Sequence, residues 1–174
     1  MKDKQGKAAR KAAANKAEEF LGVLETKVAE LQAIALTPES RPSDINFEAY
    51  QEFRDAMGEC LSFLIIIERH LEAVAEPRRT ELRNVFDDLT VAVWSILLEG
   101  SLGFLNVISL KKHLPLGTRH VFVHELKTLH DAEKTLGKKK YKKHVGKNIK
   151  GRRKKAEKIL TVIIDRAPSL LNLR

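Results

Sequence analysis

The chain has one cysteine, Cys60, in 174 residues, so no disulfide can form within it. A reducing compartment, the cytoplasm, is the expectation, and the fold must rest on its apolar core. Leu61, Phe63 and Leu64 flank that cysteine, which marks it as a buried structural thiol rather than a nucleophile. Long apolar runs are also missing. The longest, Leu61–Ile67 and Val91–Leu98, have the length of core segments and fall short of the ~20 residues that a membrane span needs. The opening MKDKQGKAARKAAANKAEE is basic without an apolar stretch, which excludes a secretory signal. No glycine-rich phosphate loop, G-x-S-x-G elbow or cysteine pair occurs, so the commonest nucleotide, hydrolase and zinc signatures are absent. No cofactor is expected.

What the chain does have is positive charge, unevenly placed. Its net charge is +9, yet residues 138–158, KKKYKKHVGKNIKGRRKKAEK, hold twelve Lys or Arg against one acid, Glu157. Residues 1–16 form a second basic stretch with six basic residues against Asp3. The body between them, residues 17–137, is therefore acidic. Like charges gathered this densely repel one another unless a polyanion offsets them, so nucleic acid is the first partner to consider. A solvated surface with no ligand is the alternative, although such a surface ordinarily mixes its signs.

The length suits one domain over 1–174 with a basic N-terminal arm. Apolar residues recur at three- to four-residue spacing nearly everywhere, and no segment sustains the two-residue alternation of a strand except the short, ambiguous run His120–His124. The fold class is all-α, a bundle of five or six helices. The first spans about Ala8–Leu36 and is broken at Pro38 and Pro42; the second spans about Phe47–Ala75, with Pro77 beyond it. Residues 63–67 are apolar all round, which predicts a central position for the second helix. The third spans about Arg79–Glu99 and stops at Gly100 and Gly103, leaving a short fourth helix, Phe104–His113, before the turn at Pro115. Thr118 caps a fifth over Arg119–Leu136, closed by Gly137. Gly146 and Gly151 predict a loop before a last helix, about Arg152–Arg166. The expected core includes Phe53, Leu61, Leu64, Phe86, Leu89, Trp94 and Leu97.

One short stretch suggests catalysis. Arg119-His120-Val121-Phe122-Val123-His124 resembles the R-x(4–6)-H motif of HEPN domains, all-helical bundles of which many are metal-independent endoribonucleases acting as dimers. The resemblance covers these six residues and the helical context. It implies that His124 moves a proton, Arg119 clamps a phosphate and His120 assists while the RNA 2′-hydroxyl attacks the adjacent phosphorus. In a continuous helix Arg119 and His124 stand about 140° apart, so convergence requires Arg119 in the preceding turn or two chains sharing the pair. Ordinary helix surface is the alternative. His120 and His124 also have the i,i+4 spacing of metal ligands, but no third ligand accompanies them and no metal is expected.

The basic segment predicts binding through Lys138, Lys139, Lys140, Lys142, Lys143, Lys147, Lys150, Arg152, Arg153, Lys154 and Lys155, assisted by Lys7, Arg10 and Lys11 of the arm. Tyr141 offers the segment's one ring for stacking on a base, which favours tracking of the backbone over a stacking platform. Helix-turn-helix punctuation, zinc-finger spacing and RNP aromatics are absent, so base-specific readout is not expected. RNA is favoured over DNA through the R-x4-H resemblance alone. The other class considered is a non-catalytic helical subunit of a nucleoprotein complex; the chain looks like small CRISPR effector subunits, which serve antiviral defence, in size, charge and helicity. A membrane-surface bundle ranks last, because no Trp, Phe or Leu interrupts the lysines before Ile159.

Overall fold

The structure, a computed structural model, describes residues 2–36, 47–109 and 118–166. The protein is all-α: among the described residues there are five α-helices, one 3-10 turn and no strand. The helices are α1 (Lys2–Leu36), α2 (Phe47–Ala73), α3 (Arg78–Ser109), α4 (Thr118–Leu136) and α5 (Lys147–Arg166), with the 3-10 turn at Lys139–Tyr141. The expected breaks at Pro38, Pro42 and Pro115 lie outside the described residues. Contacts gather into two units, one of residues 1–40 and 47–93, the other of residues 41–46 and 94–174.

The first unit is organised by a heptad-like seam. Buried positions on α1 fall at Ala17, Leu21, Leu24, Val28 and Leu31, and on α2 at Met57, Cys60, Leu64, Ile67 and Leu71. Alternating steps of three and four keep one stripe of each helix facing the other, as in coiled coils. The helices run antiparallel. Lys27 Nζ donates to Glu59 Oε2 at 2.5 Å near one end of the seam, whereas Phe20 packs on Phe63 and His70 further along, with ring centroids 6.0 and 5.6 Å apart. At the turn into α3, which contains the cis peptide Glu76–Pro77, Arg79 Nε donates to the Val74 carbonyl at 2.6 Å. Arg78 is held by Glu18 and Glu81.

The basic N-terminal arm is part of α1, which continues through it in a run rich in alanine and lysine. Residues 63–67 are not enclosed on all sides: Ile65 is 57% and Ile66 38% exposed, while Leu64 and Ile67 are buried. Four consecutive apolar residues occupy every face of a helix, so composition alone does not tell which face packs. Of the expected core, Leu64, Phe86, Leu89 and Leu97 are buried, and Phe53, Leu61 and Trp94 are half-buried.

The largest correction concerns α3. It does not stop at Gly100 or Gly103 but continues to Ser109, replacing the two expected helices by one. Each glycine costs a helix roughly 1 kcal/mol, and burial of Leu98, Leu102, Phe104 and Leu105 outweighs that cost. Among the described residues α3, over Arg78–Leu105, is also the one helix long and apolar enough to cross a membrane, a stretch longer than the apolar runs in the sequence suggest. Most of its apolar window, 61%, is buried inside the protein, as in a core helix. In the second unit, Ser101 Oγ donates to Glu125 Oε2 at 2.6 Å, tying α3 to α4 through two side chains that are each 1% exposed.

Two predictions follow from this packing. A Cβ at Gly103 meets nothing within 4 Å, so Gly103→Ala should stabilise the protein by about 0.5–1 kcal/mol, read as a raised denaturation midpoint. Cys60 is fully buried and burial pushes its thiol pKa up, so a thiol-specific reagent should leave the native protein unmodified and label it only after denaturation.

Candidate nucleic-acid interface

Charge divides along the same boundary as the contacts. The residues of the second unit contain twenty Lys or Arg against seven Asp or Glu, a net charge of +13, whereas the first unit has twelve against sixteen and is net −4. The excess of positive charge therefore lies in the second unit, concentrated after α4, while the basic arm of residues 1–16 belongs to the net acidic first unit.

The segment 138–158 is ordered into a turn and a helix rather than a loop followed by a helix. α5 begins at Lys147, about five residues earlier than expected, and passes through Gly151. What holds this charged chain down is a short apolar underside. Tyr141 is 3%, Val145 5%, Ala156 0% and Leu160 4% exposed, and the turn closes with Tyr141 N–H donating to the Lys138 carbonyl and Val145 N–H to that of Tyr141. Tyr141 is thus a core residue and offers no open face to a base. Lys140 Nζ lies over its ring at 4.5 Å from the centroid.

Two arginines complete the attachment. Arg153 donates from Nη2 to Glu133 Oε1 at 2.6 Å and from Nε to the Glu133 carbonyl at 3.2 Å, so one guanidinium engages both a carboxylate and a carbonyl of the last turn of α4 that also accepts from Gly137 N–H at 3.0 Å. Arg152 Nε sits 3.0 Å from Glu99 Oε1 on α3. Both were expected to contact ligand; both instead engage acids of their own unit. Their place on the helix explains this, because at about 100° per residue Arg152 and Arg153 flank the stripe containing Ile149, Ala156 and Leu160. A helix beginning at Lys147 makes that pattern readable, and one beginning at Arg152 hides it.

The ten lysines of the segment behave differently. Every one of them is exposed, and none forms an ion pair with a described acid. On α5 the residues Lys147, Lys150, Lys154 and Lys158 fall within about 80° of arc, opposite the buried stripe and spread over roughly 16 Å of helix. Gly151 lies among them, exposed, and a Cβ there would meet nothing within 4 Å. Arg10 and Lys11 of the arm are exposed in the first unit; the side chain of Lys7 is outside the described residues.

Gly137 ends α4 where expected but for a different reason. Its φ is not in the left-handed region; instead a Cβ would come within 2.5 Å of Arg153 Nη2 and 3.2 Å of the Glu133 carbonyl. Glycine here makes room for the arginine.

The R-x4-H residues are all helical. Arg119 belongs to α4, so the arrangement in which it lies in a preceding turn does not occur, and its backbone position is about 140° around the axis from that of His124. The side chain of Arg119 is outside the described residues. His120 and His124, one turn apart, are both exposed on the same face. Glu125, next to His124, points inward to Ser101. Among the described residues no group of three or more His, Cys, Asp or Glu is placed to hold a metal.

Comparison with known protein families, with curated proteins and with solved structures finds no match to this chain. The residues themselves therefore carry the functional reading.

The Arg153 clamp predicts a contrast. Arg153→Ala should lower stability by about 1–3 kcal/mol by leaving Glu133 without its charged donor, and Gly137→Ala should also destabilise by displacing the guanidinium. Lys154→Ala, on the exposed stripe, should leave the denaturation midpoint nearly unchanged.

Proposed function

We propose that the protein binds nucleic acid through the lysine surface of its second unit, formed by the turn after α4 and the outer face of α5. The observation that carries this reading is the division of labour within residues 138–158. The arginines and the tyrosine attach the segment to its unit, while ten lysines stand exposed with no acidic partner among the described residues. A folded protein that neutralises some charges and leaves ten of one sign uncompensated has a surface complementary to a polyanion. Each phosphate neutralised releases condensed counterions, so binding should be strong at low salt and weaken steeply as salt rises. RNA is favoured over DNA by the R-x4-H resemblance, and the binding unit acts either alone or as a subunit of a larger nucleoprotein complex.

The test is a lysine-reversal variant that spares the clamps. Replacing Lys139, Lys147, Lys150 and Lys154 by Glu should remove most salt-sensitive binding to RNA, measured by fluorescence anisotropy, while the circular dichroism spectrum and melting temperature stay close to wild type. Undiminished binding by a folded variant would place the surface elsewhere.

A second reading, a metal-independent ribonuclease, is favoured by the exposure of His120 and His124 on one face of α4 within the basic unit. Because Arg119 and His124 do not share a helix face, this reading uses two chains, each supplying one member of the pair. Labelled RNA incubated in chelator should then be cut by wild type and spared by His124→Ala, with binding retained. RNA left intact by wild type under these conditions removes the nuclease reading and leaves the binding module.

A further inference from the structure

The nucleic-acid reading leaves open which form of nucleic acid the surface takes, and the structure bears on this through what it withdraws from the ligand. Single-strand binders gain much of their affinity by stacking bases on aromatic rings, helped by guanidinium planes. In the second unit Tyr141 and Phe104 are buried, and Trp94 and Phe122 are half-buried, so none of its Phe, Tyr or Trp rings stands exposed; the exposed imidazoles among its described residues, His120 and His124, lie on α4, outside the basic segment. The two arginines of the basic segment, the residues best suited to stacking and to bidentate reading of guanine, are paired with Glu99 and Glu133. The exposed cations that remain in the segment are lysines, point charges with no planar face.

A surface with charge and no stacking groups ranks ligands by phosphate density. A duplex presents one charge per ≈1.7 Å of axis, or about ten phosphates along the roughly 16 Å of the α5 stripe, and one strand of the same geometry presents half as many. The counterion term has the same sign, because each neutralised phosphate contributes about 0.9 to the salt slope for duplex DNA and about 0.7 for single strands. The basic segment is also already folded as a turn and a helix on an apolar underside, unlike arginine-rich segments that order themselves around an irregular RNA. We infer that the lysine face formed by Lys147, Lys150, Lys154 and Lys158, with the lysines of the preceding turn, prefers double-stranded over single-stranded nucleic acid and holds it through its phosphates without regard to sequence. This inference rests on the nucleic-acid reading and goes beyond it in naming the strandedness of the ligand. Duplex RNA and duplex DNA share the chemistry on which it depends.

The experiment uses the full chain and four labelled 24-nucleotide ligands of mixed sequence: single-stranded RNA, single-stranded DNA and the corresponding duplexes. Affinities are measured by anisotropy over a salt series, and each duplex is repeated with a scrambled sequence. Both duplexes should bind at least several-fold more tightly than their single strands and with steeper log–log salt slopes, and scrambling should change neither. The relative affinity of the two duplexes identifies which source the surface favours. Replacing Lys147, Lys150, Lys154 and Lys158 by Gln should remove the preference for duplex while the melting temperature is retained. Single strands bound as tightly as duplexes, or more tightly, would overturn the inference and leave the nucleic-acid reading intact; no salt-sensitive binding to any of the four would overturn both.

Discussion

Mutual repulsion among the lysines of residues 138–158 is the constraint around which the second unit is arranged. A chain segment with eleven net positive charges has little reason to fold on its own. It does so here because four apolar or aromatic side chains anchor its underside and because Arg152 and Arg153 turn part of the charge into attachment. The Arg153 clamp has a further requirement, the missing side chain at Gly137, so a helix end, a glycine and an arginine sixteen positions later form one device. Repulsion that would open a bare peptide is thereby fixed on a surface, where it becomes available to a ligand of opposite sign.

The two units solve different problems with the same secondary structure. The α1–α2 pair is a long antiparallel seam of small and medium apolar side chains, and the surface ion pairs of the first unit, such as Lys27–Glu59 between α1 and α2 and Arg83–Glu68 between α3 and α2, add little to stability. The second unit contains a buried carboxylate, Glu125, bonded to Ser101, together with the partly buried Arg153–Glu133 pair. Buried polar groups of this kind are costly to leave unsatisfied, so they specify one arrangement of the helices more than they strengthen it.

Much of the fold was legible in the sequence because helical periodicity is a local signal. The extents of α2 and α4, the burial of Cys60 and the core positions Leu64, Phe86, Leu89 and Leu97 all follow from spacing of apolar residues. The failures also have physical causes. Gly100 and Gly103 resemble a stop, yet a glycine's helical penalty is small beside the burial of its neighbours. Ile65 and Ile66 belong to a run with no polar side, and only the partner helix decides which of its members stay outside. Within the candidate interface, the lysines were readable as a set, whereas the roles of Arg152, Arg153 and Tyr141 depend on Glu99, Glu133 and an apolar underside distant in sequence or hidden by a misplaced helix start. The two histidines of α4 were readable as a pair; the separation of Arg119 from His124 followed once that helix proved continuous.

The uninterrupted course of α3 has a practical consequence for dissecting the molecule. The contact boundary falls between Val93 and Trp94, in the middle of a 32-residue helix rather than in a linker. Any fragment cut there ends in half a helix, with backbone carbonyls or amides that were internally bonded now open to water and with Val91, Val93, Ile96 and Leu97 beside the new terminus. The acidic and basic portions are thus distinguishable by charge and contact but share a backbone element that provides no natural cleavage point, and expression of either alone calls for a redesigned helix end.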